Sequence, residues 1–112
     1  KILLIEIKDI NLDVEKFTKL LNKYKNKNIY VMSFFTSVIK KFKSRTFKIG
    51  VLNYILNSSN LYPFDFIGVL YDVASEHMIN SLKKLNIEVF LYGINKKDKL
   101  IYNDVYYIVD DY

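Results

Sequence analysis

The stretch that decides the fold is ILLIEIK at positions 2–8, an apolar run that ends in a carboxylate and an amine. Side chains alternate along a strand, so Glu6 and Lys8 share one face while Ile5 and Ile7 share the other. Apolar residues on both faces predict a parallel strand that is covered on both sides. In parallel α/β folds, ligands bind at the carboxyl ends of the strands, so we expect a candidate site at this strand end.

Two interpretations of this charged pair remain open. A carboxylate such as Glu6 can hold a hard cation, and a lysine such as Lys8 can meet a phosphate group as a point charge. The same two side chains can instead form a structural ion pair at the end of the strand. The residues by themselves favour neither interpretation.

Length and composition predict one α/β domain over residues 1–112, since 51% of the residues are hydrophobic. No apolar run approaches the ~20 residues that span a bilayer, and no leader with a cleavage site is evident. We therefore expect a soluble domain, in an unknown compartment. The chain has no cysteine and a single histidine, His77. Chemistry that needs a thiolate or two imidazoles cannot be housed in this chain alone.

The net charge of +5 invites a nucleic-acid interpretation. The lysines, however, are spread over predicted helix surfaces and loops, and no Gly-rich, RNP-like or zinc-binding pattern accompanies them. The charge therefore predicts a solvated surface and no specific nucleic-acid partner. The tyrosines and phenylalanines fall mostly on predicted core positions, which favours packing over base stacking.

Strand and helix patterns alternate along the chain, which predicts a parallel α/β architecture. Strands are predicted over residues 2–8, 29–34, 47–52, 65–70, 87–92 and 104–110. We expect a first helix capped by Asn11 or Asp13 and a third helix capped by Ser75. A short second helix is expected to open at Thr36 or Ser37. We expect irregular or single-turn crossovers between strands three and four, where Pro63 marks a turn, and between strands five and six.

Apolar spacing predicts the buried faces of the two longer helices. The first helix is expected to bury Val14, Phe17, Leu20, Leu21 and Tyr24. The last helix is expected to bury Met78, Ile79, Leu82 and Leu85. His77 lies in the first turn of that helix, and we expect it at the surface because its neighbours carry the buried stripe.

Several segments, taken in order, carry a family resemblance. They are Ile5-Glu6-Ile7-Lys8, Val31-Met32-Ser33-Phe34, Ile39-Lys40-Lys41-Phe42, Lys48-Ile49-Gly50-Val51-Leu52, Val89-Phe90-Leu91-Tyr92-Gly93-Ile94-Asn95 and the end of the chain from Val105. In order and spacing they resemble the later part of the glycerophosphodiester phosphodiesterase family, whose members are TIM barrels. The resemblance covers nearly the whole chain. It implies the last six strands of a TIM-barrel-like fold, which is an incomplete barrel.

The resemblance also implies site residues. Glu6 matches the glutamate of a Glu-x-Lys strand that helps to bind a divalent cation, calcium or magnesium. Lys8 matches the lysine that lies close to the phosphate, and Tyr92 stands where a tryptophan of the substrate pocket is usual. The family's metal-dependent enzymes belong to lipid metabolism. They hydrolyse glycerophosphodiesters to glycerol 3-phosphate and an alcohol.

The chain departs from the family pattern in ways that affect this expectation. Gly93 replaces a threonine, Asp110 replaces the threonine before Asp111, and Tyr92 replaces the tryptophan. The His-Arg-Gly motif, the proline-glutamate-asparagine segment, an acidic ligand and the second histidine have no counterpart here. We therefore assign no catalytic residue, and expect weak or no cation binding by this chain alone. At most one of Asp110 and Asp111 can face the barrel interior, because adjacent strand residues point to opposite faces.

The missing units leave three interpretations open. The chain can be a piece of a larger enzyme, or a barrel-derived module that binds or assembles without catalysis. In the second case, exposed sheet edges would allow self-association. A receiver- or flavodoxin-like domain is the third, although Ile7 interrupts the adjacent acids that a receiver needs. A strand order of 2-1-3-4-5 would mark it.

Overall fold

The computed structural model describes residues 2–24, 28–42, 45–53, 64–95 and 100–108. The chain divides into two compact units, Lys1–Leu52 and Asn53–Tyr112. In both units the strands pair in parallel, and helices lie between the first and second, the second and third, and the fourth and fifth strands. This confirms the predicted α/β class with parallel βα units. In the described residues, the structure contains no helix that is both long and apolar enough to cross a membrane.

The first unit is a β-α-β-α-β segment. Its elements are β1 (Ile2–Glu6), α1 (Val14–Asn22), β2 (Asn28–Ser33), α2 (Thr36–Ile39) and β3 (Lys48–Asn53). The middle strand, β2, pairs in parallel with both β1 and β3. In a receiver-like sheet β1 would lie between its two neighbours, so the receiver-like alternative is wrong.

The strands of this unit are buried to different degrees. Five consecutive residues of β2, from Ile29 to Ser33, are buried, which is typical of a parallel strand covered on both faces. Coverage on both faces was predicted for β1, and that prediction is wrong, because Leu3 is 51% exposed and Glu6 is also exposed. Among the described residues β1 pairs with β2 alone, so one side of β1 has no strand against it.

Helix α1 begins as predicted but buries a narrower face. The Asp13 carboxylate accepts a hydrogen bond from the Lys16 backbone N–H at 3.1 Å, which selects Asp13 as the N-cap. Leu21 is buried, whereas Leu20 is 51% and Tyr24 52% exposed. The prediction that Leu20 and Tyr24 face the sheet is therefore wrong. Leu20 lies about 100° around the helix from Leu21, and Tyr24 follows the end of the helix.

The end of β2 differs slightly from the prediction, whereas α2 begins as predicted. The strand stops at Ser33 rather than Phe34, because the Phe35 backbone N–H turns to donate to the Ser33 hydroxyl at 3.0 Å. Helix α2 opens at Thr36, one of the two predicted positions, and its N-cap is Phe35, without a side-chain hydrogen bond.

An aromatic cluster holds α1 in the first unit. Phe42 packs edge-on against Phe17 of α1, with ring centroids 5.9 Å apart, and against Phe47, at 5.5 Å. Phe42 and Phe47 are buried, whereas Phe17 is half-buried. Such edge contacts add about 0.5–1.5 kcal/mol each beyond area burial, so this cluster fixes the inner side of α1.

The first strand described in the second unit is also deeply buried. The elements of this unit are β4 (Phe66–Leu70), a 3-10 turn (Tyr71–Val73), α3 (Glu76–Lys84), β5 (Glu88–Tyr92) and β6 (Tyr106–Tyr107). The strand β5 pairs in parallel with β4 and β6. The strand predicted over residues 104–110 is thus observed only as Tyr106–Tyr107, and its end from residue 109 lies outside the described residues.

Helix α3 is capped as predicted, since the Ser75 hydroxyl accepts from the Met78 backbone N–H at 3.1 Å. Ile79 and Leu82 are buried and Met78 is half-buried. The prediction that Leu85 is buried is wrong, because it is the C-cap and is 61% exposed.

Tyrosines connect the segment before β6 to the rest of the second unit. The Tyr107 hydroxyl donates to the Tyr102 carbonyl at 2.7 Å and accepts from the Tyr102 backbone N–H at 2.8 Å. The Tyr102 hydroxyl in turn donates to the Ala74 carbonyl at 3.1 Å. Residues 93–95 and 100–105 contain no helix, in line with the predicted irregular crossover. The other predicted crossover, with Pro63, lies outside the described residues.

Candidate functional site

The candidate site in the first unit is the carboxyl end of β1. Glu6 is the last residue of the strand, and the backbone N–H of Ile7 still donates to the Met32 carbonyl at 2.8 Å. Ile7 is buried, while Glu6 and Lys8 on either side of it are exposed. This alternation agrees with the prediction that the carboxylate and the amine share one face.

Ser33 anchors this strand end from the neighbouring strand. Its fully buried hydroxyl donates to the Ile7 carbonyl at 2.7 Å, and accepts from the Phe35 backbone N–H at 3.0 Å. Both polar groups of Ile7 are therefore bonded to β2 or its end, which holds the backbone between Glu6 and Lys8 in place. Sequence reasoning missed this positioning role. The available signal was a lone hydroxyl at the end of an apolar strand, where a buried polar group needs partners.

The charged pair itself is open to solvent. Among the residues that the structure describes, no ion pair joins Glu6 to Lys8. This disfavours the structural ion-pair interpretation and leaves the carboxylate and the amine accessible to an added ligand. The next acidic residue along the chain, Asp9, uses one carboxylate oxygen to accept from the Asn11 backbone N–H at 2.9 Å.

The described residues do not fit a divalent-cation site without further ligands. No three carboxylate or imidazole side chains come together in this part of the chain. Calcium takes 6–8 oxygen ligands and magnesium demands near-ideal octahedral geometry, so one carboxylate such as Glu6 is insufficient. Asp110 and Asp111 lie outside the described residues.

The other predicted site residue, Tyr92, belongs to the second unit. It is the last residue of β5 and lies in register with Leu70, the last residue of β4. The half-buried Tyr92 is followed by Gly93, whose φ of +71° is a left-handed backbone conformation. A Cβ added to Gly93 would lie 2.6 Å from Cδ2 of Leu70.

His77 is exposed in the first turn of α3, which confirms the prediction of a surface histidine. Its backbone carbonyl accepts from the Ser81 hydroxyl at 2.9 Å, an ordinary contact one turn along the helix. Nothing in these contacts gives the imidazole a catalytic partner.

Comparisons with family models, curated proteins and solved structures found no match to this chain.

Replacing the anchoring hydroxyl, Ser33→Ala, should lower the free energy of unfolding by about 1–3 kcal/mol, because the Phe35 N–H and the Ile7 carbonyl lose a buried partner. Urea denaturation monitored by circular dichroism measures this change in the free energy of unfolding. Ser81→Ala removes an exposed hydroxyl contact and should stay within about 0.5 kcal/mol of the unmodified chain. Equal effects of the two substitutions would contradict the anchoring role.

Replacing Gly93 by a β-branched residue, Gly93→Thr, should destabilise the chain by about 1–3 kcal/mol, since such residues strongly disfavour positive φ. Gly93→Asn adds the same Cβ, but asparagine tolerates the left-handed region better, so its loss should be smaller. The difference between the two variants in thermal denaturation isolates the backbone cost. A Gly93→Thr protein as stable as the unmodified chain would show that this backbone conformation is not required.

Proposed function

We propose that this chain is the C-terminal part of a glycerophosphodiester phosphodiesterase-like protein. The parent enzyme would hydrolyse a glycerophosphodiester to glycerol 3-phosphate and an alcohol. The observation that carries the proposal is the accessible Glu6 and Lys8 at the carboxyl end of a parallel strand, on a backbone anchored by Ser33. Ligand-binding groups of parallel α/β enzymes lie at this end of their strands.

In the proposed enzyme these residues have distinct roles. Lys8 would bring a positive charge to the substrate phosphate, and its exposed amine is free of an ion pair with Glu6. Glu6 would contribute one oxygen ligand to the cation, with the remaining ligands outside the described residues. Tyr92 would line the substrate pocket. An in-frame upstream sequence without a His-Arg-Gly motif would rule out this enzyme.

The chain by itself should release no glycerol 3-phosphate from glycerophosphocholine with millimolar calcium or magnesium. Proton transfer by a positioned acid and base contributes about 10²–10⁴-fold, and the sole histidine, His77, is exposed on α3. Phosphorus NMR of the reaction mixture measures the product.

Glu6→Gln and Glu15→Gln form a matched pair in this assay, because both remove an exposed carboxylate. Turnover by the repurified chain that disappears in Glu6→Gln but persists in Glu15→Gln would contradict the expected inactivity. It would also place the complete catalytic machinery within these 112 residues.

A second candidate function, from a different class, is a non-catalytic assembly module. The observation in its favour is the open side of β1, where the described residues provide no strand partner and Leu3 is 51% exposed. The residues Ile2 to Ile5 carry no charge or proline, the usual protections of an edge strand. Backbone pairing between two such edges would join copies of the chain.

Size-exclusion chromatography with light scattering tests this assembly. The chain should show a concentration-dependent mass above the 13.3 kDa of a monomer. Leu3→Lys, which places a charge on the edge strand, should return the mass to that of the monomer, whereas Leu85→Lys at the C-cap of α3 should not. A strictly monomeric unmodified chain would contradict the assembly function and leave the phosphodiesterase proposal unaffected.

A further inference from the structure

The second unit contains a cleft of about 270 Å³ between helix α3 and the segment that precedes β6. This volume lies just below the range of about 300–1,000 Å³ that is usual for drug-sized ligands, so the cleft suits a smaller molecule. The first wall is one face of α3, and the second wall is formed by residues 101–104. The lining residues are Glu76, Ile79, Asn80, Lys83, Ile101, Tyr102, Asn103 and Asp104. Neither the phosphodiesterase proposal nor the assembly proposal uses this cleft.

The second wall is held in place by contacts at several points. The Lys83 ammonium group donates to the Asn103 carbonyl at 2.9 Å and lies 3.6 Å from the Oδ2 atom of Asp104. The hydroxyl of Tyr107 binds both the backbone N–H and the carbonyl of Tyr102. The cleft is therefore preformed, and a preformed site loses little conformational freedom when a ligand binds.

The polar groups of the cleft are mostly hydrogen-bond acceptors. Among the described lining residues, Lys83 supplies the only ammonium group, and the second wall already uses it. Within the part of the chain that the structure describes, the side chains of Glu76 and Asn80 have no hydrogen bond or ion pair. The carboxylates of Glu76 and Asp104 outnumber that single ammonium group, so the described lining has an excess negative charge. A fitting ligand therefore brings hydrogen-bond donors and a positive charge.

The carboxylate of Glu76 and the ammonium group of Lys83 belong to opposite ends of the first wall. The two residues are seven positions apart, which is about 10 Å along the axis of α3. Between them, Ile79 provides buried apolar surface on α3, and Ile101, which is 65% exposed, provides apolar surface on the second wall. A cationic group near Glu76 would thus be separated from Lys83 by apolar surface that suits a short hydrocarbon chain.

We propose that this cleft binds a small primary amine with a short apolar chain. The ammonium group would donate to the Glu76 carboxylate and the Asn80 amide oxygen, and the chain would contact Ile79 and Ile101. A divalent cation is a poor occupant, because no three carboxylate or imidazole groups come together in the described residues. A neutral polyol would supply donors but would leave the excess negative charge unmatched.

The direct test is an NMR titration of the isotope-labelled chain with n-butylammonium chloride. The amide shifts of the lining residues should saturate with a Kd of about 1–10 mM at low salt, and binding should weaken at about 300 mM salt. Two controls separate the charge from the donors, since n-butanol has the same chain without the charge and tetramethylammonium has the charge without an N–H. Each control should bind about fivefold more weakly or worse. Equal binding of either control would overturn the proposal.

Two matched pairs of variants locate the binding site. Glu76→Gln should weaken butylammonium binding about fivefold or more, whereas Glu15→Gln, in the first turn of α1, should not change it. Ile101→Ser should weaken binding about threefold or more, whereas Leu100→Ser, at the neighbouring exposed residue outside the lining, should not. Unchanged binding by Glu76→Gln would overturn the assignment.

The dispersion of amide shifts shows whether each variant is folded, so a loss of binding reports on the cleft. Calcium chloride and sorbitol provide the competing ligands. If either of them shifts the lining residues at concentrations at which butylammonium has no effect, the proposal is overturned in favour of a metal site or a polyol site.

Discussion

The hydroxyl of Ser33 is the contact on which the organisation of the first unit depends. It is fully buried at the end of β2 and bonds both to the segment that follows β1 and to the turn that leads into α2. The middle strand thereby controls where the chain leaves β1 and where the next helix begins. A buried hydroxyl that both donates and accepts a hydrogen bond stabilises this geometry, whereas a buried hydroxyl without partners would cost about 1–3 kcal/mol.

The parts of the fold that depend on local chemistry could be predicted from the sequence. The alternation of strand and helix patterns indicated the parallel α/β class, and Asp13 and Ser75 cap their helices as expected because a cap involves residues three positions apart. The predictions of which helix faces are buried were less accurate. Helical spacing places Leu20 and Leu85 near an apolar stripe, but periodicity does not reveal whether another element packs over them.

At the candidate site, long-range contacts limit what can be predicted from the sequence. Glu6 and Lys8 could be selected from the strand pattern, and their accessibility agrees with that choice. The partner of Ser33 lies 26 positions away along the chain, so its role could not be inferred without the pairing of β1 with β2. The left-handed backbone at Gly93 could not be predicted from the sequence either. A family resemblance suggests a residue type at a position, but it carries no information about φ there.

The distance along the chain between β1 and β2 also has a consequence for biosynthesis. Because β1 precedes β2 by 26 positions, a ribosome that adds about 5–20 residues per second exposes β1 for roughly 1–5 s before its partner is complete. During that interval the uncharged segment Ile2 to Ile5 is available to nascent chains on neighbouring ribosomes. We therefore expect translation speed across α1 to influence how much of the protein reaches its native pairing.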